Sequence, residues 1–273
     1  MENLLLRPIN TQTIFIIIAI VAIIAITFAV LIVLVSKFCY VKTDEKAEAV
    51  LTNLAGANCS GCGYKGCADF AKALVEKKAD INMCGPTPNE SKEEIARILG
   101  IPYSSEERMF AIVHCAGGKI SKDKFNYVGH QGCITQNIFL GGKKVCPSGC
   151  LGGGTCEKFC PYHAIKVKNG VAIADKTLCE ACNICVGKCP KNIIELIPIS
   201  SKVYVACSTF CKGREVIDAC SAGCISCGLC VKNCPENAMT MVNGVPVIDY
   251  KKCSGCKTCA IKCPRKCIKI IPE

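Results

Sequence analysis

Cysteine constrains this chain more than any other residue. The 273 residues include 27 cysteines, no tryptophan and only 6% aromatic residues. With so little bulky aromatic filler, the fold needs a source of stability besides side-chain packing. Disulfides, zinc sites and iron–sulfur clusters are the three common uses of cysteine at this density. A composition that is 51% hydrophobic and 20% charged argues against disorder.

The spacing of the cysteines favours iron–sulfur clusters. The count is odd, the chain is long, and bridges within triplets such as Cys179, Cys182 and Cys185 would be strained, so a disulfide scaffold is disfavoured. Zinc favours isolated C-x2-C pairs. The motif C-x2-C-x2-C-x3-C-P instead occurs intact three times, at 179–190, 224–235 and 253–264. It is typical of two-cluster ferredoxins, in which the fourth cysteine crosses to the other [4Fe–4S] cluster.

The second half of the chain repeats at an offset of 74 residues, which predicts two tandem ferredoxin-like domains, 146–200 and 201–273. Each copy has an Asn-Gly turn between apolar runs, Asn169-Gly170 and Asn243-Gly244, which predicts a β-hairpin. In the second repeat the motifs assign two ligand sets. They are Cys224, Cys227, Cys230 and Cys263 for one cluster, and Cys253, Cys256, Cys259 and Cys234 for the other.

The first repeat lacks one ligand, because Gly153 stands where the second repeat has Cys227. Cys146 is the expected substitute. A three-iron cluster and a lost site are the alternatives. The two predicted ligand sets are then Cys146, Cys150, Cys156 and Cys189, and Cys179, Cys182, Cys185 and Cys160.

An earlier group has the spacing C-x2-C-x4-C-x16-C and comprises Cys59, Cys62, Cys67 and Cys84. Glycines at 61, 63 and 66 let the backbone wrap closely around inorganic sulfides. We predict one [4Fe–4S] cluster in a small helical domain, 37–100, although four cysteines can also bind zinc.

Five clusters use 20 cysteines and leave Cys39, Cys115, Cys133, Cys207, Cys211, Cys220 and Cys267. A sixth cluster is a further hypothesis, with the ligands Cys115, Cys133, Cys207 and Cys220, and with Cys211 as an alternative ligand. The first two lie in a connecting segment, 101–145. The alternative is that these are buried or loop thiols. Cys267 is expected in the core of the last strand.

The segment from Ile14 to Val35 has no charged residue, and a helix of its 22 residues would be about 33 Å long. This predicts a transmembrane anchor, 1–36, because a signal peptide has a shorter apolar region. Only Arg7 precedes the segment, whereas Lys37, Lys42 and Lys46 follow it, so the remainder of the chain is expected in the cytoplasm. The predicted fold class is α+β: this single helix, a small helical 4Fe–4S domain and tandem ferredoxin-like domains.

Several functions are disfavoured by what the sequence lacks. It contains no strand-linked GxGxxG and no P-loop lysine, so no NAD or ATP site is expected. The apolar segment has no ionisable residue for an ion pathway, and the three histidines, His114, His130 and His163, are scattered. The net charge of +11 is no evidence for nucleic-acid binding. Each oxidised cluster with four thiolates adds about −2, so five or six clusters bring the charge to about +1 or −1.

This order of segments resembles the B subunit of the Rnf electron-transport complex, in the extended form of anaerobic bacteria. The resemblance rests on NCSGCGYKGCADF near residue 60, KVCPSGCLGGGTCEKFCP near residue 150 and GCISCGLC at 223–230. It implies a membrane complex that passes electrons from reduced ferredoxin to NAD⁺ and exports Na⁺ or H⁺, with this subunit on the ferredoxin side and flavin and NAD sites on partner subunits. A membrane-tethered polyferredoxin that serves a hydrogenase or a heterodisulfide reductase-like system is the alternative.

Overall fold

Helix α1 (Thr11–Phe38) contains the predicted apolar segment. The computed structural model describes residues 11–38 and 44–272 of the chain. Cys39, and Arg7 and Lys42 on which the predicted orientation depends, lie outside the described residues. The stretch Ile14–Lys37 has a mean hydropathy of 3.4 and none of it is buried, so it is long and apolar enough to cross a membrane. The chain divides into two compact units at Asp44, and each unit is described by itself.

Three helices build the domain around the first cysteine group: α2 (Glu45–Asn53), α3 (Cys67–Val75) and α4 (Asn89–Leu99). Their apolar faces meet in a core that contains Val50, Phe70, Leu74 and Ile95, and Cys84 is buried in the same core. Gly100 ends α4 in the left-handed conformation that glycine adopts without strain. A thiol therefore forms part of the core that holds the helices together.

The remaining residues contain a similar order of elements twice, and each copy opens and closes with a strand. In the first copy the elements are β1 (Met109–Val113), α5 (Cys133–Ile138), α6 (Thr155–Lys158), β2 (Ile165–Lys168), β3 (Val171–Ala174), α7 (Ile184–Lys188) and β4 (Ile194–Pro198). In the second they are β5 (Val203–Val205), α8 (Arg214–Ala219), α9 (Leu229–Lys232), β6 (Met239–Val242), β7 (Val245–Ile248), α10 (Thr258–Lys262) and β8 (Ile268–Ile270). Helices α5 and α8 are not equivalent.

Both predicted hairpins are confirmed. Strands β2 and β3 pair antiparallel around Asn169-Gly170, and β6 and β7 pair around Asn243-Gly244. All four turn residues have positive φ, between 50° and 84°, as a type I′ turn requires. Each hairpin joins the two cysteine loops of its repeat.

Strand β1 lies in the segment that the sequence suggested was only connecting. It pairs antiparallel with β4, as β5 pairs with β8 at the equivalent place in the second repeat. Equivalent residues are 92 apart in the opening strands, since Val113 corresponds to Val205, but only 74 apart in the closing strands. The first repeat therefore carries 18 extra residues after its opening strand, and α5 lies in this insert.

Candidate metal centres

Five cavities of similar size are each lined by four or five cysteines. They enclose between 330 and 380 Å³, counting the part open to solvent. We name these cavities sites B to F in chain order, and we keep the name site A for the first cysteine group, which is described below. Site B is lined by Cys160, Cys179, Cys182 and Cys185; site C by Cys133, Cys150, Cys156 and Cys189; site D by Cys115, Cys146, Cys207, Cys211 and Cys220; site E by Cys224, Cys227, Cys230, Cys263 and Cys267; and site F by Cys234, Cys253, Cys256 and Cys259.

The geometry of these cavities fits a cluster better than a single ion. Among the described residues, no three His, Cys, Asp or Glu side chains are close enough together to hold one metal ion. The thiols line the walls of a cavity instead, as an inorganic core several ångströms across requires. The fourth cysteine of each motif lies in the neighbouring cavity, as the crossing of ligands predicts.

The first cysteine group, which we name site A (Cys59, Cys62, Cys67 and Cys84), lies around the start of α3. The Asn58 Oδ1 atom accepts the Cys67 N–H at 2.9 Å and fixes the loop against the helix. The Thr87 hydroxyl donates to the Cys84 sulfur at 3.1 Å. Burial raises the pKa of Cys84, and the neighbouring Cys62 and Cys59 raise it further. Thr87 is a contact that cysteine spacing did not reveal.

The cavity lining in the first repeat differs from the ligand grouping that the sequence predicted. Cys133, not Cys146, lines site C with Cys150 and Cys156. Cys133 can lie at this site because residue 153 is a glycine. A Cβ atom at position 153 would collide with the Gln131 carbonyl oxygen and stand 2.8 Å from the Cys133 nitrogen. The inserted segment therefore occupies the space that a side chain at 153 would need, and it brings its own thiol.

Contacts with the repeat hold the insert in place. The Cys133 N–H donates to the Thr155 hydroxyl at 2.8 Å, at the start of α6. The buried Lys144 ammonium donates to the carbonyl oxygens of Gly118 and Ser121 at 2.8 and 2.9 Å, and it lies 2.9 Å from an Asp123 carboxylate oxygen. Cys133 is thus held by buried hydrogen bonds at a fixed position and not carried by a free loop.

Site D differs from the predicted sixth set only in that Cys146 replaces Cys133. Each repeat contributes two equivalent cysteines, Cys115 and Cys146 from the first and Cys207 and Cys220 from the second. Cys115 and Cys207 form a β-bridge with each other. Cys211 lines the same cavity. The site therefore has an approximate two-fold arrangement across the junction of the repeats.

Site E holds one more thiol than a cluster needs. Cys267 is fully buried, as expected for a core residue, but its sulfur lies 3.5 Å from the Cys263 sulfur. A hydrogen bond from Cys267 lowers the pKa of Cys224. The equivalent residue of the first repeat is Ile193, which lines site C.

Burial favours the neutral form of several other thiols in these cavities. It raises the pKa of Cys150 to about 11 and that of Cys156 to about 12, and nearby thiols add to the effect. The pKa of Cys185 is raised to about 12 for the same reasons. Thiolates at these positions need a cationic partner, and a positively charged iron–sulfur core supplies one. The donor set and its environment therefore fit iron–sulfur clusters.

Neighbouring sites touch through their own ligand loops. The Cys150 N–H points to the Cys115 sulfur at 3.4 Å, and the Cys224 N–H points to the Cys207 sulfur at 3.3 Å. At Gly61 an added Cβ would collide with the Cys182 carbonyl oxygen, so only glycine lets site A approach site B this closely. Contacts thus join A to B, C to D and D to E, and crossing cysteines join B to C and E to F.

Comparisons with known proteins support iron–sulfur clusters in the helical domain and in the second repeat. Residues 54–86 match a family described as a putative Fe–S cluster, and residues 223–268 match the 4Fe–4S dicluster domain. The chain is 36% identical, over 98% of its length and 78% of the relative, to the B subunit of the Na⁺-translocating ferredoxin:NAD⁺ oxidoreductase complex of Acetobacterium woodii. It is 37% identical to the proton-translocating counterpart of Clostridium ljungdahlii, over 95% of this chain and 93% of the relative. The B subunit of the ion-translocating oxidoreductase complex of Methanosarcina acetivorans is 34% identical, over 93% of this chain and 97% of the relative.

Proposed function

Since the chain belongs to the B-subunit family of ion-translocating oxidoreductase (Rnf) complexes and is one of their iron–sulfur electron-transfer subunits, we propose that it accepts electrons from reduced ferredoxin. It relays them within a complex that reduces NAD⁺ and exports Na⁺ or H⁺, as the names of two relatives describe. The polyferredoxin alternative is not favoured, because the similarity to these relatives extends over at least 93% of the chain.

The relay consists of six [4Fe–4S] clusters held at sites A to F. When bound, each cluster takes up and releases one electron. The protein holds the clusters through cysteine thiolates, buries about half of these cysteines, and aims backbone N–H groups at some of the sulfurs. Hydrogen bonds to sulfur and solvent exposure tune the potential of such a site. Flavin, NAD and the ion pathway belong to partner subunits, in keeping with the motifs missing from this sequence.

The sites form one series, from A through B, C, D and E to F. The observation that carries this proposal is the pair of N–H contacts at site D, from Cys150 to the Cys115 sulfur and from Cys224 to the Cys207 sulfur. They connect the two repeats through a site to which both contribute equally. Without site D, the sites of the first repeat and those of the second would be separate pairs.

Helix α1 is proposed to be a single-pass membrane anchor, with residues 45–272 in the cytoplasm. Its exposure over the whole stretch Ile14–Lys37 supports a lipid environment. The reducing cytoplasm also suits metal-bound thiolates. The anchor would keep the relay beside the membrane subunits of the complex.

Removing site D tests the series. The double variant Cys115→Ser/Cys207→Ser leaves the proposed ligands of the other five sites intact. When the detergent-solubilised protein is mixed with reduced ferredoxin and freeze-quenched, electron paramagnetic resonance should show rapid reduction of the clusters on one side of site D only. The wild-type protein should show all clusters reduced in the rapid phase. Equal rates for all clusters in the variant would contradict a single series.

A further inference from the structure

The second repeat has the largest formal positive charge, +6, although residues 101–200, with 12 basic and 7 acidic residues, carry +5. Residues 201–273 contain 11 lysines and arginines and 5 acidic residues, whereas residues 45–100 contain 7 basic and 8 acidic residues. The formal charges are thus +6 and −1. Two clusters in the second repeat and one in the helical domain would change these to about +2 and −3, at about −2 per cluster. The two ends of the proposed series therefore carry opposite charge.

Site F, at the basic end, is open to solvent. Of the cysteines within the described residues, only Cys227 and Cys256 are exposed, and Cys256 lines site F. Lys257 follows it directly and lines the same cavity, together with Glu236. Lys202 packs over Gly255, where an added Cβ would stand 2.8 Å from its Cγ atom. Lys251 is exposed on the same loop.

The backbone at Lys257 is strained, in a conformation that Lys77 and Lys266 also adopt. It precedes α10 with φ of 63°, in the left-handed region that lysine adopts at a conformational cost. The three equivalent positions before α6, α7 and α9 are Gly154, Asn183 and Gly228, which accept this conformation more easily. A strained residue beside a functional site points to a role for its side chain.

We infer that Lys257, with Lys202 and Lys251, forms the docking surface for a small acidic protein that carries one electron at a time. The inference rests on the proposed function, because it assigns the receiving end of the series to site F. In each encounter the carrier is oxidised by one electron and this chain is reduced by one electron, and no bond or proton is transferred. Opposite charges bring the partners together and orient the carrier toward the exposed edge of the site.

The substitution Lys257→Asn tests this surface without endangering the fold. It installs the residue that the first repeat has at the equivalent position, where asparagine already adopts the left-handed conformation. The protein should keep its iron content and its thermal midpoint. At low ionic strength, its second-order rate of reduction by a reduced acidic two-cluster ferredoxin should fall by about threefold or more. Oxidised ferredoxin should also bind the variant more weakly in a direct titration.

Lys77→Asn is the matched control. Lys77 is an exposed lysine in the same backbone conformation, with φ of 57°, but it lies in the helical domain. The Lys77→Asn variant should keep the wild-type rate of reduction by ferredoxin and the wild-type affinity for ferredoxin. The difference between the two variants should vanish near 1 M salt, where screening shortens the Debye length to about 3 Å.

Three results would overturn the inference. Equal rates and affinities for the two variants would mean that the carrier docks elsewhere. A larger loss for Lys77→Asn would move the docking surface to the helical domain. A loss for Lys257→Asn that persists at high salt with a shifted midpoint potential would mean that the lysine tunes site F without binding the carrier. Failure of the proposed function is distinguishable, because wild-type protein would then be reduced by dithionite but not by ferredoxin.

Discussion

The two repeats share a frame and differ in how one ligand is supplied. Both have the same hairpin turns, the same pairing of first and last strands, and the same crossing of the fourth cysteine. In the second repeat Cys227 belongs to the motif itself, whereas in the first Gly153 leaves room for an insert that carries Cys133. The comparison teaches that a cluster site requires a thiol at a position in space, not at a position in the motif.

Loss of the inserted ligand should have the largest effect. Cys133→Ser should abolish the [4Fe–4S] signal of site C and remove about one to four irons per chain, because three thiols hold at most a three-iron cluster. Cys146→Ser should remove the cluster of site D instead, when made in a Cys211→Ser background that eliminates the spare thiol. The measurement is iron and sulfide analysis of anaerobically purified protein, together with paramagnetic resonance of the reduced clusters.

Combining the substitutions separates the two groupings. If Cys133 and Cys146 serve different sites, the iron lost by the combined variant should equal the sum of the losses in the two separate variants, because losses at independent sites add. If the two residues serve one site, the combined variant should lose no more than about four irons, the content of that single cluster. Cys211→Ser alone, as the control, should retain the wild-type iron content.

Cysteine spacing predicted the cysteines that line sites B and F and four of the five at site E, but not the lining of sites C and D. The crossing pattern, both hairpins and the apolar helix follow from local signals in the sequence. Cys146 lies four residues from Cys150, so proximity along the chain favoured it over Cys133, which lies 17 residues away. The deciding contact is the close approach of Gly153 to the backbone of Gln131, where a side chain at 153 would collide. This contact joins segments that are distant in sequence, so cysteine spacing does not reveal it. Strand β1 was missed for a related reason, since it finds its partner β4 some 80 residues later.

Filling the space at Gly153 should cost stability. Gly153→Ala forces a methyl group against the backbone of the insert, and overpacking of this kind costs about 1–3 kcal/mol. The thermal midpoint for loss of the visible cluster absorbance should fall accordingly. Gly187→Ala, inside α7 of the same repeat with no atom within 4 Å of the added group, is the control and should be neutral or stabilising by about 0.5–1 kcal/mol. Equal midpoints for the two variants would mean that the insert yields to a side chain at position 153.

The smallest expected effect concerns the extra thiol of site E. The Cys267 S–H group can donate to the sulfur of Cys224 or Cys263, which favours the more negative, reduced state of that site and raises its potential. Cys267→Ile installs the first repeat's residue, and loss of a hydrogen bond worth about 0.5–1.5 kcal/mol should lower the potential by roughly 20–60 mV. A redox titration followed by paramagnetic resonance measures the shift.

Two further variants make this comparison symmetric. Cys267→Ser keeps a donor at the site and should keep the potential near that of the wild type. Ile193→Cys introduces a donor beside site C and should raise that potential by a similar amount, because Ile193 lines the cavity as Cys267 does. If Cys267→Ser and Cys267→Ile shift the potential equally, the hydrogen bond is not the cause, and the difference between the repeats at this position is one of packing alone.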